Sequence, residues 1–295
     1  MFFFSLITGI VLLTTSCKHS EPVQLHSLPA SSEVIKFISP NNNEKPLFLH
    51  TYRPDHHPLQ ELVIVIPGVH RNAAEYLSVW KDIADSKSLL IVVPEFKKEF
   101  FPGSEEYQWG GVFDPETNEL RPPEKSSFQI LEDAFDFLRE YFSLPQDSYS
   151  LYGHSGGAQF VHRFLMLQPE HRAHRAIAAN AGWYTFVNDS KDYPLAYKNI
   201  PPSRLNLPVF FEMNFTVLNG ELDNNPDHKF LNKDPEIQLQ QGLHRLERGG
   251  NYFNDAKKQA ASKNLKFNWS RYIVPQSGHS NRKMSAYSAA YWFSD

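Results

Sequence analysis

The sequence predicts an α/β fold in which a mostly parallel sheet is covered by helices on both faces. Two short apolar runs, "ELVIVIPG" and "LLIVVPE", are rich in β-branched residues, which is typical of strands buried on both faces. Amphipathic segments with helical spacing separate the strand-like runs, and this alternation favours a parallel sheet. The 295 residues are 41% hydrophobic and 14% aromatic, a composition typical of a globular chain with a large core.

The elements of the first half follow this pattern in order. "EVIKFISP" and "KPLFLHTYRP" flank the turn-rich "NNNE", which predicts an antiparallel hairpin. Between the two β-branched runs, "AAEYLSVWKDIADSK" has the spacing of an amphipathic helix. "SSFQILEDAFDFLREYF" carries one apolar stripe and predicts a second helix, whose start Ser126 or Ser127 can cap.

The second half continues the alternation of strands and helices. "SYSLYG", "RAIAANA", "FTVLNG" and "FNWSRYIVP" predict strands, and "GAQFVHRFLML", "NYFNDAKKQAASKN" and "NRKMSAYSAAYWF" predict helices. Two long connections interrupt the pattern, at residues 96–125 and at roughly 182–207. Loops of that length are usually functional, so we expect lid-like insertions there.

The chain begins with "MFFFSLITGIVLLTTSC", an uncharged apolar run that ends in small residues and the only cysteine. The run is shorter than the about 20 apolar residues of a membrane span, so it indicates a secretory signal. Thr15 and Ser16 before Cys17 resemble a bacterial lipoprotein processing site, which implies cleavage before Cys17 and a lipid on its thiol. We therefore interpret residues 1–16 as a signal peptide, 17–33 as a lipidated tether and 34–295 as the folded domain.

This resemblance predicts a protein of the bacterial cell envelope, anchored to the membrane through the lipid on Cys17. An ordinary signal peptide with an incidental cysteine is the alternative, and it predicts a secreted or periplasmic protein. One cysteine excludes an intramolecular disulfide. The formal net charge of −4 and the lack of a strongly basic stretch argue against nucleic acid as a partner, because phosphate binding needs clustered Lys and Arg.

A nucleophile is predicted where the strand "SYSLYG" meets the helix "GAQFVHRFLML". Gly153-His154-Ser155-Gly156-Gly157 matches the pattern G-x-S-x-G, whose chemistry requires a sharp strand-to-helix turn that presents a serine hydroxyl above the sheet. A glycine-rich loop that caps a helix or holds a phosphate is the alternative. The stretch lacks the lysine of a P-loop and the spacing of a dinucleotide fingerprint, which argues against that alternative.

A base and an orienting acid are predicted at the same edge of the sheet. His279 lies in a glycine-containing loop between the last strand and the last helix, and the carboxyl ends of parallel strands meet in one crevice. Asp223 follows the strand "FTVLNG" and can hold one tautomer of the imidazole. Glu221 and Asp227 are nearby competitors for this acid, and a turn-forming role is the alternative for Asp223.

The order Ser155, Asp223, His279 resembles that of the α/β-hydrolase superfamily, and the resemblance covers about residues 45–295. "IPGVHRNAAEY" resembles the corresponding stretch of polyhydroxybutyrate-depolymerase-like and feruloyl-esterase-like members. The resemblance implies an oxyanion hole formed by the backbone N–H groups of Val69 and Gly156. The sequence departs from the family where Pro67 replaces a histidine before Gly68, a departure shared by some polyester hydrolases.

Substrate-pocket candidates follow from the same topology. Each lies in a loop directly after a predicted strand, and ordinary loop packing is the alternative for each; they are His70, Arg71, Glu95, Trp183 and Tyr184. Trp109 in the first long connection is expected to line a lid. Arg245 and Arg248 in "QGLHRLERGGNYF" are interpreted as a structural clamp on the preceding loop, with binding of an acidic group as the alternative.

The sequence predicts a serine hydrolase that cleaves carboxylic esters through an acyl-enzyme on Ser155. His279 acts as general base and then as general acid, and the chemistry requires no metal or cofactor. The expected partner is a small-molecule or polymer ester substrate, and the oligomeric state is not predicted. Two alternatives stay open: a serine peptidase with the same triad, and a catalytically silent lipoprotein that uses the fold for binding.

Overall fold

Eight strands form one sheet in the computed structural model, which describes residues 30–55 and 59–294. Along the chain the strands are β1 (Ser31–Ser39), β2 (Asn42–Arg53), β3 (Glu61–Ile66), β4 (Leu89–Glu95), β5 (Tyr149–His154), β6 (Ala173–Ala179), β7 (Asn214–Gly220) and β8 (Ser270–Val274). Across the sheet their order is β1-β2-β4-β3-β5-β6-β7-β8.

The mostly parallel sheet predicted from the sequence is confirmed. β1 and β2 form the expected antiparallel hairpin, and β2 joins β4 antiparallel. Every other pair of neighbours is parallel. β1 begins at Ser31, three residues before the predicted start of the folded domain at residue 34, because Ser31 already pairs with Arg53. The predicted signal peptide and Cys17 lie outside the described residues.

Helices cover both faces of the sheet, as predicted. They are α1 (Ala73–Lys87), α2 (Ser127–Tyr141), α3 (Gly156–Leu167), α4 (Leu207–Glu212), α5 (Pro235–Gln241), α6 (Arg245–Ser262) and α7 (Asn281–Trp292). One apolar cluster joins one sheet face to α1 and α7, and a larger cluster joins the other face to α2, α3, α4 and α6. In the part of the chain that the structure describes, none of the helices has the length and hydropathy to cross a membrane.

The two faces of the sheet are built by alternation along β3. Leu62 and Ile64 belong to the larger cluster, whereas Val63 and Val65 belong to the other one. All four are fully buried, and burying a side chain of this size contributes about 1.5–3 kcal/mol to stability. At the start of α2, the Ser126 side chain accepts a hydrogen bond from the N–H of Gln129 at 3.1 Å, so Ser126 is the cap.

The predicted bounds of α6 and β8 differ from those in the structure. α6 begins at Arg245, six residues before the predicted start at Asn251, because the Gly249-Gly250 pair continues the helix. A side chain at Gly249 would collide with Asn219 of β7, so a glycine there lets the helix lie close to the sheet. β8 is shorter than predicted, because Trp269 before it donates from its indole to the carbonyl of Phe210 and packs beneath the sheet edge.

The two long connections lie over the carboxyl ends of the strands and contact each other. The Tyr193 hydroxyl of the second connection donates to the carbonyl of Trp109 in the first, at 2.6 Å. The rings of Trp109 and Trp183 meet edge to face with centroids 6.0 Å apart.

Candidate active site

Ser155 occupies a strained turn between β5 and α3. Its φ of 57° and ψ of −113° lie in a region that non-glycine residues rarely adopt, and strain of this kind is concentrated at functional sites. The turn depends on glycines on either side, because a Cβ at Gly153 would collide with the backbone of Gly157 and one at Gly157 with the carbonyl of Ile66. This is the sharp strand-to-helix turn that the G-x-S-x-G pattern predicts.

The structure brings Ser155, His279 and Asp223 together in one hydrogen-bonded line. His279 Nε2 lies 2.9 Å from Ser155 Oγ, and His279 Nδ1 lies 2.7 Å from Asp223 Oδ2. The serine hydroxyl therefore donates to Nε2 while Nδ1–H donates to the carboxylate, which fixes the tautomer required of a general base. His279 lies between β8 and α7, and Asp223 lies just beyond β7.

Asp223, rather than either competitor, reaches His279. Its side chain is 3% exposed, and its backbone carbonyl accepts from the N–H of Leu246. Glu221 instead accepts from the N–H of Gln276 at 2.8 Å. Asp227 forms an exposed ion pair with Lys233 at 3.1 Å.

The backbones of Val69 and Gly156 lie close together next to Ser155. A Cβ placed on Gly156 would lie 2.8 Å from the Val69 nitrogen, and one on Gly68 would lie 3.6 Å from the Ser155 Cβ. Gly156 is the first residue of α3, so its N–H has no acceptor within the helix. The two residues predicted to form an oxyanion hole are therefore neighbours, and the Gly156 N–H lies at the positive end of the α3 dipole.

Arg245 holds the second oxygen of Asp223. Its guanidinium donates to Asp223 Oδ1 at 3.2 Å and lies 3.3 Å from His228 Nδ1. The side chain is 1% exposed, and burial lowers the pKa of its guanidinium from the usual value. The sequence interpretation of Arg245 as a clamp agrees with these contacts, although its direct contact with Asp223 was not predicted.

Two further histidines flank His279, and the sequence analysis missed both. The ring centroids of His154 and His228 lie 4.8 Å and 5.4 Å from that of His279. Burial lowers the pKa of His154 well below its usual range, and the pKa of His228 is lowered by burial and by Arg245. Both rings are therefore neutral near pH 7, so they shape the site without repelling the imidazolium of His279. His154 occupies the second position of the G-x-S-x-G pattern, the one sequence signal that pointed to it.

A cleft of about 520 Å³ is lined by Val69 and includes two of the predicted pocket residues, Arg71 and Trp183. His70 lies exposed beside it, with its ring 5.1 Å from that of Phe230, which also lines the cleft. Trp109 lines a smaller neighbouring cavity of about 130 Å³ between the two long connections.

Two of the predicted pocket residues, Glu95 and Tyr184, do not line this cleft. Glu95 faces the outer part of the sheet, where its carboxylate lies 3.0 Å from His50 Nε2, because β2 pairs with β4 at this point. Tyr184 is fully buried, and its ring stacks on that of Tyr252 with centroids 4.4 Å apart. The chain turns inward directly after Trp183, so only the first of the two neighbouring aromatic residues reaches the cleft.

Comparison with solved structures places this geometry among known proteins. The chain is 35% identical to poly(aspartic acid) hydrolase-1 from Sphingomonas sp. KT-1, with a TM-score of 0.81 over 88% of this chain and 97% of that one. It is 32% identical to a poly(3-hydroxybutyrate) depolymerase from Bordetella parapertussis, with a TM-score of 0.83 over 90% of this chain and 89% of that one.

A more distant likeness extends to an S-formylglutathione hydrolase from Agrobacterium tumefaciens, with 15% identity and a TM-score of 0.56 over 90% of this chain and 97% of that one. At this identity the likeness concerns the fold alone. No family model and no curated protein matched the chain. The matches to the first two proteins exceed 30% identity and cover 97% and 89% of their chains. These matches and the order of strands in the sheet show that the chain belongs to the α/β-hydrolase superfamily.

Proposed function

We propose that the chain is a serine hydrolase that cleaves carboxylic esters by acyl transfer through Ser155. The observation that carries the proposal is the line of hydrogen bonds from Ser155 Oγ through His279 to Asp223, at 2.9 Å and 2.7 Å. A serine hydroxyl is a weak nucleophile until a base takes its proton. His279 Nε2 lies within the distance that such a proton transfer requires.

The first half of the reaction forms an acyl-enzyme. Ser155 Oγ attacks the ester carbonyl carbon while its proton passes to His279 Nε2, and Asp223 stabilises the resulting imidazolium. The N–H groups of Val69 and Gly156 bind the oxyanion, and each such donor contributes about 3 kcal/mol to transition-state stabilisation. The tetrahedral intermediate then collapses, and His279 gives its proton to the departing alcohol oxygen.

The second half of the reaction regenerates the enzyme by the same steps, with water as the nucleophile. His279 Nε2 takes a proton from a water molecule, whose oxygen attacks the acyl carbon. The Ser155–acyl bond breaks, the carboxylic acid leaves, and the proton returns from His279 to Ser155 Oγ. One imidazole serves both halves because Asp223 keeps Nδ1 protonated throughout.

Hydrolysis of an amide is a second candidate, and the structural neighbour named as a poly(aspartic acid) hydrolase favours it. Amide cleavage uses the same groups, with His279 protonating the departing nitrogen. The names of both neighbours above 30% identity refer to polymers, which supports an oligomeric or polymeric substrate. The wide, open cleft beside Val69 is compatible with such a chain.

Turnover of p-nitrophenyl esters and aminoacyl-anilides by the purified chain tests the proposal. We expect ester hydrolysis in the wild type and its loss in Ser155→Ala. Ser78→Ala is the matched control, because the Ser78 hydroxyl is exposed and bonds only to the carbonyl of Glu75. Turnover of anilides but not of esters supports the peptidase alternative. A folded wild type that cleaves neither class supports the catalytically silent binding protein.

We also propose that the chain is a bacterial lipoprotein anchored through Cys17, on the basis of the N-terminal sequence alone. Expression in a lipoprotein-processing bacterium then gives a membrane-associated product whose first residue is a lipid-modified Cys17. The Cys17→Ser variant remains unprocessed at that position. A soluble wild-type product cleaved elsewhere supports the secreted or periplasmic alternative.

A further inference from the structure

The cleft beside the oxyanion site carries an unusual charge. Among the described residues that line it, none is an aspartate or a glutamate, whereas Arg71, Lys98 and Lys229 are cations. One acid lies at its rim: the carboxylate of Glu105 is next to Gly103, and Glu105 lines the smaller neighbouring cavity. The chain as a whole has a net charge of −4, so this positive surface is local.

The two lysines are exposed, and neither forms an ion pair among the described residues. Lys98 belongs to the first long connection, and Lys229 lies in the loop after β7, with its ammonium 4.7 Å from the centre of the Phe230 ring. Elsewhere on the same face, lysines are paired: Lys233 with Asp227 at 3.1 Å and Lys191 with Glu236 at 2.7 Å.

Arg71 and Arg163 bring two buried cations close to the same cleft. Arg71 donates only to backbone carbonyls, including that of Gly103 at 2.6 Å, and no carboxylate contacts it in the described chain. Arg163 is fully buried beneath Trp183, with its guanidinium 4.3 Å from the ring centre. One terminal nitrogen of Arg163 is buried without a hydrogen-bond partner.

Arg248 adds a third buried cation, bonded only to carbonyls. Its guanidinium donates to Gly182 and Asn232, which line the cleft, and to Gly242, at 2.8–2.9 Å. A buried charge without a counter-charge costs free energy, and hydrogen bonds donated to neutral carbonyls offset that cost only in part. The cleft is surrounded by three such guanidiniums and by two lysines without ion pairs. Their charges produce a positive electrostatic potential in the cleft, and a bound anion lowers that potential.

We propose that this cleft binds a carboxylate carried by the substrate, so that the preferred substrates are anionic esters or amides with a carboxylate near the scissile bond. This inference rests on the proposed hydrolase function of Ser155. The lysines are the contacting groups, because both terminal nitrogens of Arg71 and all three nitrogens of Arg248 already donate to carbonyls. The Nε of Arg71, which has no hydrogen-bond partner among the described residues, is buried. The arginines supply charge from beneath the cleft rather than direct hydrogen bonds.

A matched pair of chromogenic esters tests the inference. Mono-p-nitrophenyl adipate carries a free carboxylate, and its methyl ester has the same chain without the charge. We expect kcat/KM to be at least about tenfold higher for the anionic ester at low salt, and the ratio to fall in 0.5 M NaCl because salt screens exposed charges. Turnover of the neutral ester reports on the proposed function independently of the charge preference.

Variants identify the groups responsible. In the double variant Lys98→Gln/Lys229→Gln, we expect the ratio of kcat/KM between the anionic and neutral esters to fall about tenfold. We expect the single variant Lys229→Glu to lower the same ratio. Lys233→Gln, a neighbour outside the cleft that is paired with Asp227, should keep the wild-type ratio. Equal kcat/KM for the two esters in the wild type, or an unchanged ratio in the double variant, overturns the inference.

Discussion

Asp223 uses its two carboxylate oxygens for two different partners. Oδ2 accepts from His279 and Oδ1 from Arg245, so the carboxylate cannot rotate away from the imidazole without losing a buried ion pair. The role of Asp223 could be inferred from the sequence, because the acid of a triad must lie just after the end of a strand, at the crevice. The restraint by Arg245 could not, since it comes from a helix 22 residues further along the chain.

Replacing Asp223 by Asn should lower kcat by about 10⁴-fold, because an amide cannot hold the productive tautomer of His279. Glu221→Gln and Asp227→Asn should each lose far less, since their carboxylates bond to Gln276 and Lys233 instead. The measurement is kcat for the three variants on one activated ester. If kcat falls strongly in Glu221→Gln and stays near the wild-type value in Asp223→Asn, the assignment of Asp223 as the acid is wrong.

Arg245 acts through Asp223, so it is a positioning residue. Arg245→Met should lower kcat by about 100-fold with little change in KM, because Asp223 is then free to shift relative to His279. Removing one partner of a buried pair should also lower the free energy of unfolding by about 3–5 kcal/mol. Arg245→Lys should restore part of kcat. If KM rises and kcat stays constant in Arg245→Met, the positioning role is wrong.

At the scale of elements, the turn between β5 and α3 depends on close approach of backbones. Gly157→Ala should unfold the chain or lower the free energy of unfolding severely, because the new Cβ would collide with the carbonyl of Ile66. Gly250→Ala in α6 is the matched control: its Cβ would meet only the flexible Arg271 side chain, and alanine favours a helix by about 1 kcal/mol. Urea unfolding of both variants checks this. Equal stability of the two variants would contradict the packing described for the turn.

The long, regular elements could be predicted because their apolar periodicity is strong. The start of α6 could not be predicted in this way. Its first turns contain Gly249 and Gly250, which by local preference indicate a loop. Tertiary contacts override that preference: Arg248 binds three loop carbonyls, and Gly249 fits against Asn219. Contacts between distant segments carry no local signal, and the same reason explains why Glu95 and Tyr184 were assigned to the pocket.

For the molecule as a whole, we expect the free energy of unfolding to fall in mild acid because the fold buries several histidines. Burial lowers the pKa of His154 and His162 well below the usual range and that of His171 to about 4. In the unfolded chain a histidine titrates near about 6.5. Between pH 6.5 and about 4 the unfolded state therefore binds more protons than the folded state, so the free energy of unfolding falls as the pH falls.

Three such groups give a slope of at most about 4 kcal/mol per pH unit near pH 5, and almost none above pH 7.5. Urea unfolding measured in steps from pH 8 to pH 5 checks this prediction. The carboxylates that are stabilised in the fold titrate at lower pH and do not produce the effect in this range. Equal free energies of unfolding at pH 5 and pH 7.5 would show that these histidines are protonated in the folded chain.

Covalent labelling is a direct test of whether Ser155 is the nucleophile of a serine hydrolase. The purified chain is treated with a fluorophosphonate, digested, and analysed by mass spectrometry for the position of the phosphonyl group. The assignment of Ser155 as the nucleophile predicts one phosphonyl group per chain, on Ser155, together with loss of ester hydrolysis, and no labelling of Ser155→Ala. Labelling of a different serine, or an active chain that takes up no label, would contradict it.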